Sequence, residues 1–309
     1  MFFKTQSNFL RQAQWRLEAL GWDAISAIMR RLPIDAASAF GGALAKVIGP
    51  LTSVHRTVLR NVRLAYPDWD DAARNQLAHA QWENVGRVLF EFFMMDRIIA
   101  DKSRIEFVNL DRLEAVREGG RGAVFISGHF SNWEVMPAAG LAAGVEGILA
   151  YRAANNPYID ARINESRRRY GVRLFAPKGL EGGREVLSAL SRGLSVAILN
   201  DQRYDPGIMA PFFGRLTPTQ HAAVRFAMRF EAPLIPASVQ RLDGARFRIT
   251  LHDPIELTRT NCKVADTEAG VRRINQFLED RVRESPWEWW WVHRRFPSET
   301  YAELAAQGY

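Results

Sequence analysis

Apolar residues recur at three- and four-residue spacing in the N-terminal third of the chain, which predicts amphipathic helices there. The first such stretch runs from Leu10 to Leu32 and ends at Pro33. A second apolar stretch covers residues 36–48, and a longer one runs from Asp71 to about Ile99. We therefore predict two N-terminal helices, followed after a turn by one long helix.

The period changes after residue 106, where short apolar runs alternate with helical stretches. The runs are residues 123–127, 147–151, 172–176 and 195–199. Such alternation is typical of βαβ units on a parallel sheet. We predict an α/β fold with a mixed, largely parallel sheet covered by helices. Residues 1–55 are expected to form a basic amphipathic helical part, and residues 56–309 the α/β domain.

Residues 201–218 interrupt this alternation. The segment contains three prolines, two glycines and two adjacent phenylalanines. An unstructured excursion of this length in a compact domain is more often functional than not, so we predict a long functional loop. After it, the pattern indicates a helix at 219–230, strands at 234–240 and 246–251, and a final helix at about 267–283.

The candidate chemistry lies where the apolar run from Gly122 to Ser127 ends. His129 follows this predicted strand, and Glu134 comes five residues later, after the potential helix N-caps Ser131 and Asn132. A turn into a helix can bring the imidazole and the carboxylate together as a general base and the group that fixes its tautomer. The spacing leaves a second interpretation open, a capping box in which Glu134 only satisfies backbone donors.

Composition narrows the class of protein. The chain is 47% hydrophobic and 24% charged, which are globular values that argue against disorder. A single cysteine, Cys262, excludes an internal disulfide, and no Cys/His cluster has zinc-ligand spacing, so no metal is expected. The N-terminus lacks the features of a secretory signal. Asp35 and Lys46 interrupt the best candidate for a membrane span.

The net charge of +7 is concentrated at the N-terminus, where residues 1–65 hold nine Lys/Arg against three acidic residues. A basic, apolar-rich helical part carrying Trp15 and Trp22 suits an anionic membrane surface. Nucleic acid is the competing partner because a pI near 9.8 has the same electrostatic signature. We expect no nucleic acid, since the sequence contains no helix-turn-helix, zinc-finger or RNP-like motif.

The sequence HFSNWE at 129–134 resembles the H-x4-D/E motif of the glycerolipid-type acyltransferase superfamily. Its context is similar to the lipid A secondary acyltransferases, the lauroyl and myristoyl transferases of lipopolysaccharide assembly. The resemblance covers roughly residues 10–297, and its further blocks, in order, are residues 56–67, YRAANNPYID (151–160), SRRRYG (166–171), NDQRYDPG (200–207), FFGRLTPT (212–219) and PWEWWWVHRRF (286–296). The Phe-Pro-Glu-Gly block of the phospholipid enzymes is absent, which argues against glycerol-3-phosphate or lysophosphatidate as acceptor.

The resemblance implies an enzyme that transfers a fatty acyl chain from a thioester on acyl carrier protein, or on coenzyme A, to a hydroxyl of a lipid A precursor. The expected location is the cytoplasmic face of the inner membrane of a Gram-negative bacterium. No cofactor or metal is implied. Two alternatives are an acyltransferase for another envelope glycolipid and a non-catalytic basic protein that binds membranes or nucleic acid.

The resemblance also implies roles for individual residues. His129 is the expected base and Glu134 its orienting acid, so neither Ser131, interpreted as the helix N-cap, nor Cys262 is a nucleophile candidate. The expected substrate-binding residues are Arg152, Arg167, Arg169, Asp201 and Gln202. Each arginine could instead line a solvated helix face. Asp201 is expected to support His129 from its other side or to hold Arg152, unless it only initiates a turn before Pro206 and Gly207.

The sequence leaves the roles of two groups of apolar residues open. The tryptophans between residues 287 and 291 suit either the membrane headgroup level or packing of the C-terminal segment onto the domain. An acyl chain needs an apolar slot, and residues near His129 could line part of it, with core packing as the default for each. These residues are Phe125, Phe130, Trp133, Val135 and Met136.

Overall fold

A computed structural model of the chain describes residues 2–151, 153–172, 174–177 and 179–309. Its twelve α-helices are α1 (Phe2–Met29), α2 (Ile34–Ile48), α3 (Val54–Ala65), α4 (Asp71–Glu91), α5 (Met95–Ala100), α6 (Asp111–Gly119), α7 (Pro137–Ala143), α8 (Pro157–Arg169), α9 (Leu180–Ser191), α10 (Ala222–Phe230), α11 (Lys263–Glu284) and α12 (Ser298–Ala306). Its nine strands are β1 (Ile105–Val108), β2 (Val124–Ser127), β3 (Gly147–Tyr151), β4 (Leu174–Pro177), β5 (Ser195–Leu199), β6 (Arg203–Phe212), β7 (Arg215–Thr219), β8 (Leu234–Arg241) and β9 (Phe247–Leu251).

Seven strands form one sheet in the order β1-β9-β8-β2-β5-β3-β4. All neighbouring pairs in it are parallel except β8 and β9, which are antiparallel. The predicted mixed, largely parallel sheet covered by helices is confirmed. The strand β1 and the helices α6 and α12 were not predicted, because each is short and its apolar pattern spans too few residues to establish a period. The helix α3 was also missed, although its buried Val58 and Val62 lie at four-residue spacing.

The predicted loop at residues 201–218 is wrong, because β6 and β7 form an antiparallel hairpin there. Its prolines are tolerated because a two-stranded ribbon leaves outer backbone positions that need no ladder hydrogen bond. A bulge between Arg203 and Ile208 interrupts the register. Within it, a Cβ on Gly207 would lie 2.2 Å from the carbonyl oxygen of Thr219, so this close approach of two backbones requires glycine.

The predicted helix from Asp71 to Ile99 is interrupted. α4 ends at Glu91, a one-turn 3₁₀ helix covers Phe92–Met94, and α5 begins at Met95. The interruption lets the rings of Phe92 and Phe93 pack against Trp22 of α1, with centroids 5.8 and 4.8 Å apart. Tertiary packing therefore overrides an apolar period that continues across the break.

The two N-terminal helices dock on the α/β domain. α1 meets α8, where Asn156 donates to the carbonyl of Trp15 at 3.0 Å and Arg162 pairs with Asp23. α2 crosses α4 so closely that a Cβ on Gly41 would lie 2.6 Å from the carbonyl oxygen of Gly86. The segment Ile34–Leu51 is long and apolar enough for a membrane span by length and composition alone, a test that core helices also pass.

Both helices nevertheless leave large apolar side chains in solvent. On α1 the predicted apolar stripe points outwards, and on α2 and just after it a second set of apolar side chains does the same. The exposed residues are Leu10, Leu17, Leu20, Ile25 and Ile28 from α1, and Phe40, Leu44, Val47, Ile48 and Leu51 from α2 and the turn that follows. Exposed contiguous apolar surface marks an interaction site.

A buried ion pair joins the helical layer to the sheet. The carboxylate of Glu91, at the end of α4, is fully buried and makes two hydrogen bonds with the guanidinium of Arg241, at the end of β8, at 2.5 and 3.0 Å. Ser38 of α2 donates to the same carboxylate at 2.5 Å. The charge of Glu91 is therefore neutralised at the junction of α2, α4 and β8.

Removing the cation of this ion pair should show how much the junction contributes to the free energy of unfolding. We expect Arg241→Ala to lower the free energy of unfolding by roughly 3–5 kcal/mol, because Glu91 would stay buried without its counter-ion. The matched control is Arg248→Ala on β9, whose pair with Glu106 is exposed, so its loss should leave the free energy of unfolding nearly unchanged. Equilibrium urea unfolding measures both, and equal effects would contradict the prediction.

Candidate active site

The site forms where two neighbouring parallel strands end. β2 and β5 pair in parallel with Ser127 opposite Leu199, and the backbone N–H of Asn200 donates to the carbonyl of Ser127 at 2.8 Å. The turns after the two strands therefore leave the sheet side by side at their carboxyl ends, where open α/β sheets collect functional groups. His129 follows β2 and Asp201 follows β5.

Asp201 holds His129 at two points. One carboxylate oxygen of Asp201 lies 2.7 Å from Nδ1 of the ring, and the other accepts the backbone N–H of His129 at 2.8 Å. The second oxygen also accepts the indole N–H of Trp289 at 2.8 Å. Burial alone would raise the pKa of Asp201, but the imidazole and these hydrogen bonds outweigh it and keep the pKa below its ordinary value.

The other ring nitrogen of His129 faces an amide. Nε2 lies 3.3 Å from Nε2 of Gln202, and the same amide nitrogen lies 3.1 Å from Nε2 of His293. Trp133 packs edge-on against the imidazole of His129, with ring centroids 4.6 Å apart. The ring of His129 is thus held by a carboxylate on one nitrogen while its second nitrogen remains at a polar opening.

The prediction that Glu134 orients His129 is corrected by this geometry, since both ring nitrogens have other partners. The carboxylate of Glu134 instead binds the guanidinium of Arg167, with Nε at 3.1 Å and Nη2 on the other oxygen, and accepts from the hydroxyl of Tyr170 at 3.0 Å. Burial alone would lower the pKa of Arg167, but Glu134 outweighs it and raises that pKa. Burial, together with Glu134, raises the pKa of Tyr170.

The direction of the chain explains why Glu134 turns away from His129. Trp133–Val135 forms a single 3₁₀ turn rather than the start of a regular helix. The N-cap of this turn is Asn132, whose side-chain oxygen accepts the N–H of Glu134 at 3.2 Å. The expected capping by Ser131 is wrong, because Ser131 has a left-handed backbone conformation with φ of 47° and its buried hydroxyl has no hydrogen-bond partner among the described residues.

Asn132 also ties the turn to the buried ion pair of the helical layer. Its side-chain nitrogen donates to Glu91 at 2.8 Å, on the oxygen that also binds Arg241. A non-glycine residue such as Ser131 is strained at positive φ, and such strain persists only where the surroundings impose it. The Glu91 network on one side and Asp201 on the other supply that constraint.

The tryptophan-rich segment, residues 286–296, packs along the turn. The backbone N–H of Ser131 donates to the carbonyl of Glu288 at 2.8 Å, and that of Trp290 donates to the carbonyl of His129 at 3.1 Å. Trp289 and Trp291 are buried, so core packing is the correct interpretation for these two tryptophans. Trp287 is half exposed, and Trp290 packs edge-on against Trp133.

Two charged residues of the tryptophan-rich segment are also buried. Burial raises the pKa of the Glu288 carboxyl to about 7, despite the hydrogen bond it accepts from the backbone of Arg241. The fold therefore favours the neutral acid, whose contribution to stability is present at low pH and is lost as the pH rises through about 7. Burial lowers the pKa of Arg295 to about 10, and its guanidinium donates to Thr219 at 2.8 Å.

The other predicted residues that the structure describes lie away from this geometry. Arg152 is outside the residues that the structure describes. Arg169 is half exposed on α8, 4.0 Å from Glu165. The thiol of Cys262 is free and exposed. Of the residues proposed for an acyl slot, Phe130 and Val135 belong to the buried core. No cluster of three His, Cys, Asp or Glu in the described part of the chain could hold a metal ion.

Sequence reasoning missed two contributors to the site, Trp289 and His293. Both lie more than 150 residues after His129 along the chain, so no local spacing connects them to it. Asp201 was among the residues predicted for the site, and its contact with His129 follows from its position after β5, because residues that follow adjacent parallel strands meet at one sheet edge.

A family model and two named relatives point to the same protein family. Residues 3–298 match the family model described as bacterial lipid A biosynthesis acyltransferase. The chain is 26% identical to the lipid A biosynthesis lauroyltransferase of Escherichia coli (strain K12) over 249 residues, which cover 78% of each chain. It is 22% identical to the lipid A biosynthesis palmitoleoyltransferase of the same strain over 313 residues, which cover 97% of each chain.

A structural relative is more distant. The crystal structure of the 1-acyl-sn-glycerophosphate acyltransferase from Thermotoga maritima superposes with a TM-score of 0.37 and 12% sequence identity. The superposition covers 89% of this chain and 98% of that one. A similarity of this size carries no argument about the site.

The contact with Asp201 makes a testable prediction about the tautomer of His129. An ionised carboxylate accepts, so Nδ1 should carry the proton and Nε2 should be unprotonated in the neutral ring. Long-range ¹H–¹⁵N spectra of ¹⁵N-histidine-labelled protein should show this single tautomer. Asp201→Asn should produce a mixture, whereas Asp205→Asn, at an exposed aspartate paired with Arg203, should change nothing. A wild-type ring protonated on Nε2 would contradict the assignment.

Proposed function

The chain belongs to the bacterial lipid A biosynthesis acyltransferase family, and on that premise we propose that it transfers a fatty acyl chain from acyl carrier protein to a hydroxyl of a lipid A precursor. Family membership makes it an acyltransferase of lipid A biosynthesis, so the non-catalytic alternative is set aside. The donor, the acceptor hydroxyl and the location in the cell are parts of the proposal. The acyl thioester is a co-substrate, and the proposal includes no resident cofactor or metal.

The observation that supports the proposal most strongly is the pair of contacts by which Asp201 holds the backbone and the ring of His129. With Nδ1–H directed at Asp201, the Nε2 lone pair is available to accept a proton from an attacking hydroxyl. The carboxylate of Asp201 then stabilises the imidazolium that forms. The hydroxyl oxygen attacks the thioester carbonyl carbon, the carbon–sulfur bond breaks, and the thiolate leaves with the proton from His129. No acyl-enzyme is needed.

The pair of Glu134 and Arg167 has a different part in this proposal. Each neutralises the charge of the other at a mostly buried position next to the turn, and the hydroxyl of Tyr170 completes the coordination of the carboxylate. We therefore assign Glu134 to fixing the turn and holding Arg167 at the edge of the site. Arg169, and Arg152 outside the described residues, remain the proposed contacts for phosphates of the acceptor or of the donor's phosphopantetheine.

Aromatic side chains supply an apolar wall beside the base. Trp133 contacts His129, and Trp290 packs at right angles against Trp133 with ring centroids 4.9 Å apart. Both indoles are partly exposed. A partly exposed pair of indoles next to the attacking group suits the first methylenes of an acyl chain. We propose that the acyl thioester lies along this wall.

The exposed apolar side chains of α1 and α2 support a membrane surface as the place where the acceptor is met. Exposed leucines of α1 stand beside exposed basic residues such as Arg11, Arg16 and Arg31, a combination used by helices that lie at anionic interfaces. We propose that residues 1–55 associate with the cytoplasmic leaflet of the inner membrane. An amphiphilic acceptor would then be delivered from the same leaflet.

The reaction is tested by mass spectrometry of a tetra-acylated lipid A precursor after incubation with lauroyl or myristoyl acyl carrier protein, with the matching acyl-coenzyme A in parallel. We expect one added acyl mass with the wild type. His129→Ala should lower the rate ~10²–10⁴-fold because proton transfer is lost. The exposed His79 serves as control, and His79→Ala should leave the rate unchanged.

Each alternative outcome has a definite meaning. Equal rates for wild type and His129→Ala would remove His129 as the base. No added mass with the wild type would refute the lipid A acceptor, and other envelope glycolipids would be tried next. A faster reaction with acyl-coenzyme A than with acyl carrier protein would refute the proposed donor.

Membrane association is tested by co-sedimentation with vesicles that contain anionic lipid. We expect the double variant Leu17→Gln, Leu20→Gln to lower the partition coefficient roughly tenfold or more, because burial of one leucine side chain contributes about 1.5–3 kcal/mol. The control is Val264→Gln on α11, which is 66% exposed compared with 68% for Leu17. If both proteins lose binding equally, α1 is not the contact surface.

A further inference from the structure

Two consecutive residues contact both nitrogens of one imidazole. Asp201 approaches Nδ1 of His129, and the side chain of Gln202 approaches Nε2. Both residues lie in the short connection between β5 and β6, so one dipeptide reaches around the ring. Orientation of the base requires only Asp201, which leaves the position of Gln202, at the reacting nitrogen, without a role in the chemistry given above.

The hydrogen bonding determines which end of the Gln202 amide faces the base. Because Nδ1–H of His129 is directed at the carboxylate of Asp201, Nε2 has a lone pair and can only accept in the neutral ring. The amide must therefore present its NH₂ group. That group has two N–H donors, one for Nε2 of His129 and one for Nε2 of His293, at 3.3 and 3.1 Å.

We propose that Gln202 is a catalytic residue that donates a hydrogen bond to the thioester carbonyl oxygen as that oxygen becomes an oxyanion. His293 is a positioning residue, because it holds the second N–H of the amide and so keeps the NH₂ group at the reaction centre. The inference rests on the proposed acyl transfer and assigns an electrostatic stabiliser to the same site.

The distances permit this contact. The attacking hydroxyl must lie within hydrogen-bond distance of Nε2 of His129 to lose its proton. In the tetrahedral intermediate the former carbonyl oxygen is two covalent bonds from the attacking oxygen. Since the nitrogen of Gln202 lies 3.3 Å from Nε2 of His129, an oxygen in that position lies within reach of its N–H.

Binding of the acceptor hydroxyl releases the donor. In the resting site one N–H of Gln202 points at the lone pair on Nε2 of His129. Nε2 has a single lone pair, so a hydroxyl that donates to it takes the place of Gln202, and the freed N–H can turn to the thioester carbonyl oxygen. That oxygen is a weak acceptor while the carbonyl is neutral and a strong one once proton transfer and attack make it an oxyanion. The hydrogen bond is therefore much stronger in the transition state than in the ground state.

The collapse of the intermediate restores the resting arrangement. The carbonyl double bond re-forms, the carbon–sulfur bond breaks and the leaving thiolate takes the proton from Nε2 of His129. The products are an ester and a free thiol, so atoms and charges balance. With the lone pair of Nε2 regenerated, Gln202 returns to it, and the oxyanion is replaced by a neutral ester carbonyl that binds the N–H weakly.

The test is steady-state kinetics of thiol release from lauroyl acyl carrier protein or lauroyl-coenzyme A, with and without the lipid A precursor. We expect Gln202→Ala to lower kcat by roughly 10²–10³-fold, the usual loss for one oxyanion donor. KM for the thioester should stay within about threefold, because the hydrogen bond to the neutral carbonyl is weak and strengthens only as the oxyanion forms. The matched control is Gln276→Ala, at a surface glutamine bound to Asp280, which should behave as wild type.

Further measurements separate catalysis from positioning. Gln202→Glu keeps the size of the side chain but lacks N–H donors when ionised, so it should be at least as impaired as the alanine variant. The tautomer of His129, with the proton on Nδ1, should be unchanged in Gln202→Ala, although the Nε2 resonance should shift because that nitrogen loses a hydrogen bond. For His293 we expect a smaller loss of kcat in His293→Ala and partial recovery in His293→Gln, whose amide oxygen can accept from Gln202.

Several results would overturn the inference. One is a kcat for Gln202→Ala within about threefold of wild type. Another is an altered tautomer of His129 in that variant, which would mean that Gln202 acts through the ring. If the wild type releases thiol in a reaction that depends on His129 and yet adds no acyl chain to lipid A, only the proposed acceptor is refuted. The effect of Gln202→Ala is then measured on hydrolysis of the thioester, with water as acceptor. A wild type that cleaves neither thioester refutes both proposals.

Discussion

A single buried carboxylate, that of Asp201, connects the three parts of the chain that make the site. A charge removed from water must be neutralised or hydrogen-bonded, because an unpaired buried carboxylate is strongly unfavourable. The donors that satisfy Asp201 come from the turn after β2, through the backbone and ring of His129, and from the tryptophan-rich segment, through Trp289. The imidazole of His129 is therefore oriented by the same carboxylate that attaches the C-terminal segment to the sheet.

A second buried carboxylate holds the turn from its other side. Glu91 accepts from Asn132 of the turn, from Ser38 of α2 and from Arg241 at the end of β8. With donors arriving from the helical layer and the sheet at once, the turn has little freedom to relax. This explains how Ser131 remains in a left-handed conformation inside a fully buried segment.

Asp201 and Glu134 both lie near His129, and their different contacts follow from this arrangement. Asp201 comes from a neighbouring strand and approaches the ring along the sheet edge, so the tautomer is set without help from within the motif. Glu134 is then available to neutralise Arg167, a cation that is itself almost buried. A histidine and a glutamate five residues apart thus have separate surroundings: His129 contacts Asp201 and is the proposed base, whereas Glu134 balances the charge of Arg167 beside the turn.

Local patterns in the sequence were enough for several features. Alternation of apolar runs and helical stretches predicted the largely parallel sheet, the end of the run at Ser127 placed His129 at a strand terminus, and the ordered blocks pointed to the family. The sequence left the role of Asp201 open, and only the tertiary structure decided that Asp201 rather than Glu134 contacts the ring of His129 and that Glu134 pairs with Arg167. The hairpin formed by β6 and β7 was missed because its prolines and glycines resemble those of a loop. Strand pairing brings His129 and Asp201 together across about 70 residues, and the bridge between Phe130 and Trp289 spans more than 150. A spacing rule within one segment carries no information about contacts between segments, because those are set by sheet order and by the need to satisfy buried charges.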